Sequence, residues 1–196
     1  VSYGYAEDVA LKAEAIGIDS IWVPDHMLNP IKGEREPTLE AWTTLTALGA
    51  VAKRLELFHT TICQGFRYPA VLAKMCATLQ DAADGRFRLS IGAGWYKREF
   101  QASEVPYHSH DERIDRTREQ IEIIKALWKE DTVNYSGKYY TIKDGVMEPK
   151  PSIIPEIWWG GVSEPSRELT ADECDGWLMH NSILEEAAAN MEDMEN

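Results

Sequence analysis

Apolar side chains at Ala6, Val9, Ala10, Ala13 and Ile16 recur at helical spacing, which predicts an amphipathic helix over residues 5–16, stopped by Gly17. Residues 18–23 form a short apolar, β-rich run that ends at Pro24, and the proline-, glycine- and charge-rich stretch 27–37 reads as loop. The same reading gives a helix over 40–52, a strand over 55–62 and a helix over 69–83 with proline in its first turn, where a missing N–H costs nothing. Asp84-Gly85 then makes a turn into a strand over 87–91. Ser109 with Glu112 forms a capping box for a long helix over 111–129, whose Ile114, Thr117, Ile121, Ile124 and Trp128 make a buried stripe. Residues 133–142 alternate around Ser136-Gly137 as a hairpin, and Glu148-Pro149-Lys150-Pro151 is extended linker. A strand over 156–159, a helix over 164–172, a strand over 176–179 and an acidic helix over 183–196 complete the order.

Alternation of strand and helix predicts a single α/β domain over residues 1–196, with parallel strands joined by right-handed crossovers. A doubly wound sheet and a (β/α)8 TIM-barrel-like fold both fit this order. Only five such strands are legible in 196 residues, whereas a closed eight-stranded barrel takes about 250.

Charge and composition narrow the classes. With 33 acidic and 20 basic side chains the net charge is −13, which repels phosphate backbones and argues against nucleic acid as a partner. No run reaches the roughly 18 apolar residues of a membrane span, and residues 1–8 carry no secretory signal pattern. Three unpaired cysteines, Cys63, Cys76 and Cys174, suit a reducing, cytoplasmic setting, and none sits in a C-x-x-C pair.

Parallel α/β folds gather their chemistry at the carboxyl ends of strands. Those ends deliver Asp25 and His26; Thr60, Thr61 and Gln64; Gly92-Ala93-Gly94-Trp95; Gly160-Gly161-Val162-Ser163; and His180-Asn181. Glycines, hydroxyls, histidines and aromatics on one face suit a flat aromatic cofactor bearing a phosphate. Gly160, Gly161 and Ser163 ahead of a helix are the phosphate candidate; a tight strand-to-helix turn explains the same glycines. Gly92-Ala93-Gly94 lacks the third glycine of a dinucleotide fingerprint, because Lys97 stands there. His26 reads either as a general acid/base or hydrogen-bond donor, or as a polar loop residue. His108-Ser109-His110 reads as a helix start rather than a metal site. Trp95 is the tryptophan expected to line a pocket, and Cys63 is expected to be a small buried hydrophobe.

Residues 18–27 (IDSIWVPDHM) and 86–95 (RFRLSIGAGW) with Glu99-Phe100, together with His110-Asp111-Glu112-Arg113, Gly137-Lys138-Tyr139-Tyr140, the EPKP stretch, Gly160-Gly161-Val162-Ser163 and Asp175-Gly176-Trp177, resemble the luciferase-like flavin monooxygenases in order as well as in kind. The HDER and EPKP segments are most similar to the alkanesulfonate and sulfone monooxygenase branch. The resemblance implies a bacterial luciferase-like (β/α)8 barrel, incomplete here, with the first strand before residue 1 and the last two after residue 196. It implies reduced FMN as cofactor, with the deazaflavin F420 as the alternative; Trp95 stands where the F420 sugar-phosphate branch often has Glu. Asp25, Thr60, Thr61, Gly94 and Trp95 are then expected around the isoalloxazine ring, Gly160, Gly161 and Ser163 at the phosphate, and His26 as the catalytic group. A small sulfonate, sulfone or aldehyde substrate, a separate flavin reductase and a homodimer complete the expectation. The other readings are F420-dependent hydride transfer and a flavin-binding or assembly protein without turnover.

Overall fold

The computed structural model describes residues 2–179 and residue 191. His180-Asn181 and, Met191 apart, the expected acidic helix lie outside the described residues. Helix α1 (Tyr3–Ala15) starts at Ser2, whose hydroxyl accepts the Tyr5 amide at 3.3 Å. Strand β1 (Ser20–Val23) leads through the loop to α2 (Ala41–Val51). The Glu40 carboxylate caps α2 by accepting the Trp42 and Thr43 amides at 3.0 and 2.7 Å, where an acidic group also meets the positive end of the helix.

The single strand expected over 55–62 is two, β2 (Glu56–His59) and β3 (Ile62–Cys63), separated at Thr60-Thr61, whose peptide bond is cis. β2 pairs in parallel with β1, and the Thr60 amide still donates to the Val23 carbonyl at 3.0 Å. Beyond the break, β3 pairs with the neighbour on its other side, β4 (Leu89–Gly92). The chain passes from one partner to the next within four residues, which no hydrophobic pattern encodes. A short 3-10 turn at Gln64–Phe66 leads into α3 (Pro69–Ala82). After β4 come a short helix absent from the sequence reading, α4 (Lys97–Ala102), and the long α5 (His110–Lys129). Next are the antiparallel hairpin β5 (Val133–Ser136) and β6 (Thr141–Gly145), then β7 (Ile157–Gly160), α6 (Glu164–Glu173) and β8 (Gly176–Leu178).

β3, β4, β7 and β8 form one parallel sheet, and the Leu57–Phe87 bridge carries it across to β2 and β1. The result is a parallel arc with helices on its outside and, among the described residues, no closed barrel. Period-two alternation sorts the strands' side chains. Leu57, Leu89, Ile91, Ile157 and Trp159 are buried on the helix side, in one core with Leu72, Cys76, Ile121, Ile124 and Trp128. The opposite face is layered. At its floor Arg88 bridges Glu56 and Glu156 at 3.1 and 3.2 Å. Above it Trp22 stacks on Phe58 at 3.9 Å with Trp158 edge-on to both. The last layer brings the carboxyl ends of β4 and β7 against Thr61. No described helix is long and apolar enough to cross a membrane.

Candidate active site

Three groups of side chains stand at the carboxyl ends of the arc. The first is built on the loop after β1. Asp25 is 4% exposed and both of its oxygens are committed: Oδ2 accepts the Cys63 amide at 2.9 Å and Arg67 Nη1 at 2.6 Å, and Oδ1 accepts Arg67 Nη2 at 3.1 Å. Arg67 also reaches Glu40 at 2.7 Å. Asp25 therefore ties the β1 loop to β3 and to Arg67 just ahead of α3, with both of its oxygens turned to protein donors. Its neighbour His26 turns the other way. His26 Nδ1 lies 3.1 Å from both oxygens of Glu99, and Glu99 also accepts the Met27 amide at 2.9 Å. The imidazole is edge-on to Trp95, 5.7 Å between centroids, and to Tyr96, 6.3 Å.

The second group is the seam of Thr61, Gly92 and Gly160. A Cβ on Gly92 would stand 2.4 Å from Thr61 Oγ1, and one on Gly160 would stand 2.6 Å from Thr61 Cγ2. The glycines are required by this close approach of β4, β7 and the break between β2 and β3. Thr60, by contrast, is exposed. Gly94 has φ +80°, and a Cβ there would stand 2.7 Å from Cys63 Sγ and from Phe100 Cζ, so the turn itself requires this glycine. Its carbonyl accepts Arg113 Nε at 3.0 Å, and Arg113 Nη1 donates to the His108 carbonyl at 2.6 Å, which clamps two mouth loops together. Trp95 projects from this turn at 64% exposure, an indole at the rim with an open face. Cys63 is buried as expected, and burial pushes its thiol up to about 12, so it stays protonated and unreactive at neutral pH.

The third group faces the start of α6. Ser163 occupies the N-cap position without spending its hydroxyl on the helix. Its Oγ lies 2.9 Å from Ser166 Oγ and 3.3 Å from His110 Nε2. Beneath the loop, the buried Trp159 Nε1 has no hydrogen-bond partner among the described residues. It lies 2.8 Å from where a Cβ on Gly161 would stand, a point equally close to Ser166 Oγ. Two hydroxyls, an imidazole, an orphaned indole N–H and the positive end of a ten-residue helix make a donor set suited to an oxyanion. His108 is engaged with Glu112 at 3.1 Å, and His110 Nδ1 with Asp111 at 2.9 Å.

The structure thus gathers His26 with Trp95, Thr61 with Gly160, and Ser163 near Gly161. It sets Asp25 behind the surface, while Gly94 is half-buried in the turn that carries Trp95. Sequence reasoning passed over Glu99, Arg113, His110 and Ser166 as site residues. Glu99 alone left a usable trace, a carboxylate one helical turn after Trp95 and directly before the apolar Phe100.

Comparison with known proteins agrees with this architecture. The chain is 32% identical over 157 residues to an FMNH2-dependent dimethylsulfone monooxygenase of Pseudomonas putida, covering 79% of this chain and 43% of the relative. It is 35% identical over 146 residues to an F420-dependent glucose-6-phosphate dehydrogenase of Amycolatopsis mediterranei, covering 74% and 43%. The chain therefore spans less than half the length of either relative. Among solved structures, a long-chain alkane monooxygenase superposes with TM-score 0.85 at 20% identity, over 98% of this chain and 52% of that one. That likeness establishes the fold as the luciferase-like α/β barrel type, present here as a partial barrel. The luciferase-like monooxygenase family model matches residues 1–196, and with the parallel arc and its strand-end residues this places the chain in the luciferase-like monooxygenase family.

Proposed function

We propose that this chain binds FMN at the carboxyl ends of its strands and serves flavin-dependent monooxygenation of a small organic substrate of the sulfone, sulfonate or aldehyde class. The observation that carries the reading is the meeting of Ser163, Ser166 and His110 at the start of α6, on the same edge of the arc as His26 and Trp95. The donor set fits a phosphomonoester: hydroxyls and an imidazole donate to its oxygens, and the buried Trp159 N–H, without a partner among the described residues, lies beneath the same loop. Ser163, Ser166, Gly161 and His110 would hold the phosphate, and Thr61, Gly160, Trp95 and Tyr96 would border the ring. Reduced FMN, delivered by a separate reductase, would supply the electrons that activate dioxygen. The protein's part is to hold the ring at the strand ends, to keep water from it with the Trp95 and Tyr96 side chains, and to present His26 for proton exchange with the substrate.

A second reading is F420-dependent hydride transfer, favoured by the F420-dependent relative at 35% identity. Fluorescence titration of the purified chain with FMN, riboflavin and F420 separates the readings. FMN is expected to saturate at micromolar concentration and riboflavin to bind more weakly. Ser163→Ala with Ser166→Ala should cost FMN about tenfold to a hundredfold, the worth of hydrogen bonds to a charged group, and leave riboflavin unchanged. Equal binding of FMN and riboflavin would refute the phosphate site, and a preference for F420 would move the assignment to hydride transfer.

A further inference from the structure

We propose that Glu99 is a positioning residue that fixes the tautomer of His26, holding the proton on Nδ1 and leaving the Nε2 lone pair as the group presented at the mouth of the site. Glu99 is 1% exposed and sits on α4, yet its hydrogen-bonding partners come from the loop after β1. Both oxygens lie 3.1 Å from His26 Nδ1, and Oε2 accepts the Met27 amide at 2.9 Å. A carboxylate only accepts hydrogen bonds, and a buried charge requires donors. The Met27 N–H is one donor and Nδ1–H is the other. With that proton held, neutral imidazole is an acceptor at Nε2, which has no hydrogen bond among the described residues.

Trp95 and Tyr96, edge-on to the ring, restrict its other orientations. The consequence decides between the two chemical readings open to His26: it accepts a proton or a hydrogen bond at the site and does not donate one in its neutral form. That His26 meets substrate or cofactor rests on the function proposed above; the tautomer does not.

Two-bond nitrogen–proton correlation spectra of the cofactor-free chain, labelled at its five histidines, read the tautomer directly at about pH 8.5, above the ordinary histidine range. The His26 signal is assigned by its loss in His26→Gln. The expected pattern is a protonated Nδ1 and a bare Nε2. In Glu99→Gln the side-chain oxygen stays on the Met27 amide and an amide N–H faces Nδ1, so the pattern shifts toward Nε2–H. Glu99→Asp keeps an acceptor there and should keep the parent tautomer. A parent His26 protonated on Nε2 would overturn the proposal, and needs no variant to be seen; so would an unchanged pattern in a folded Glu99→Gln protein. Flavin binding, scored separately by titration, can fail while the tautomer assignment stands, and the reverse.

Discussion

His59 shows what one residue can impose on the whole chain. It is fully buried on β2, stacked on Trp42 at 5.1 Å and edge-on to Phe87, and neither ring nitrogen makes a hydrogen bond of good geometry. Burial first, and the nearby Arg67 second, lower its pKa from 6.5 to about 3. The unfolded chain takes up a proton below about pH 6.5 that the folded chain refuses until about pH 3. Folding stability therefore falls as pH drops through that window. The loss at pH 5 is about 2 kcal/mol, from 1.36 kcal/mol per pH unit. Urea unfolding at pH 7.5 and pH 5 should show it, and His59→Leu should remove that part of the pH dependence. An equal acid loss in both proteins would assign the effect to other groups. Nothing local in the sequence marks this histidine, because β2's outward position is visible only once its helix cover is known. Asp25 and His26 show the same limit. They are adjacent in the chain and alike in polarity, but one is consumed by Arg67 and the other by Glu99, partners more than forty residues away.

Elements were legible where their signals are local. The Ser109 cap, the buried stripe of α5, the proline at the start of α3 and the glycine pair ahead of α6 all lie within a few residues of what they control. The hairpin was legible too, but not what fastens it. Glu119 on α5 accepts the amides of Lys138, Tyr139 and Tyr140 at 2.7, 3.0 and 3.0 Å, and a Cβ on Gly137 would run into that carboxylate at 2.3 Å. One side chain thus satisfies three successive donors at the hairpin tip, which has few other polar partners there. Glu119→Ala should cost about 1 kcal/mol of global stability, since the tip can rehydrate. Amide exchange at residues 138–140 should accelerate while the exchange of α5 stays as it was. Loss of α5 protection as well would show that the hairpin stabilises the helix, not the reverse. The break between β2 and β3 was invisible for a complementary reason: both pieces are apolar and buried, and only the change of pairing partner distinguishes them.

At the scale of the molecule, the arc is not uniformly held. Most buried side chains form one cluster linking β2, β3, β4 and β7 to α2, α3 and α5. A second, small cluster of Ala10, Leu48, Ala52 and Leu55, with Tyr3, Ala6 and Ala13 packed against it, seats α1 together with the bonds from Arg54 to Glu14, and α1 leaves Tyr5, Val9 and Leu11 exposed. β1 is the edge of the arc, with every residue only partly buried. The loop that carries Asp25, His26 and Met27 nevertheless leaves this weakly seated edge and is pinned to the centre by side chains: Asp25 to Arg67 and the Cys63 amide, His26 and Met27 to Glu99. Local opening follows buried contacts and bonds rather than chain order. Native-state hydrogen exchange should therefore find α1 opening about 2 kcal/mol more easily than α3 and α5, with the Met27 amide exchanging more slowly than those of α1. Glu99→Gln should narrow that gap at Met27 without moving α3. If Met27 instead opens together with α1 in the parent chain, the site loop belongs to the edge, and the cross-links from Cys63, Arg67 and Glu99 do not hold it in place when the edge opens.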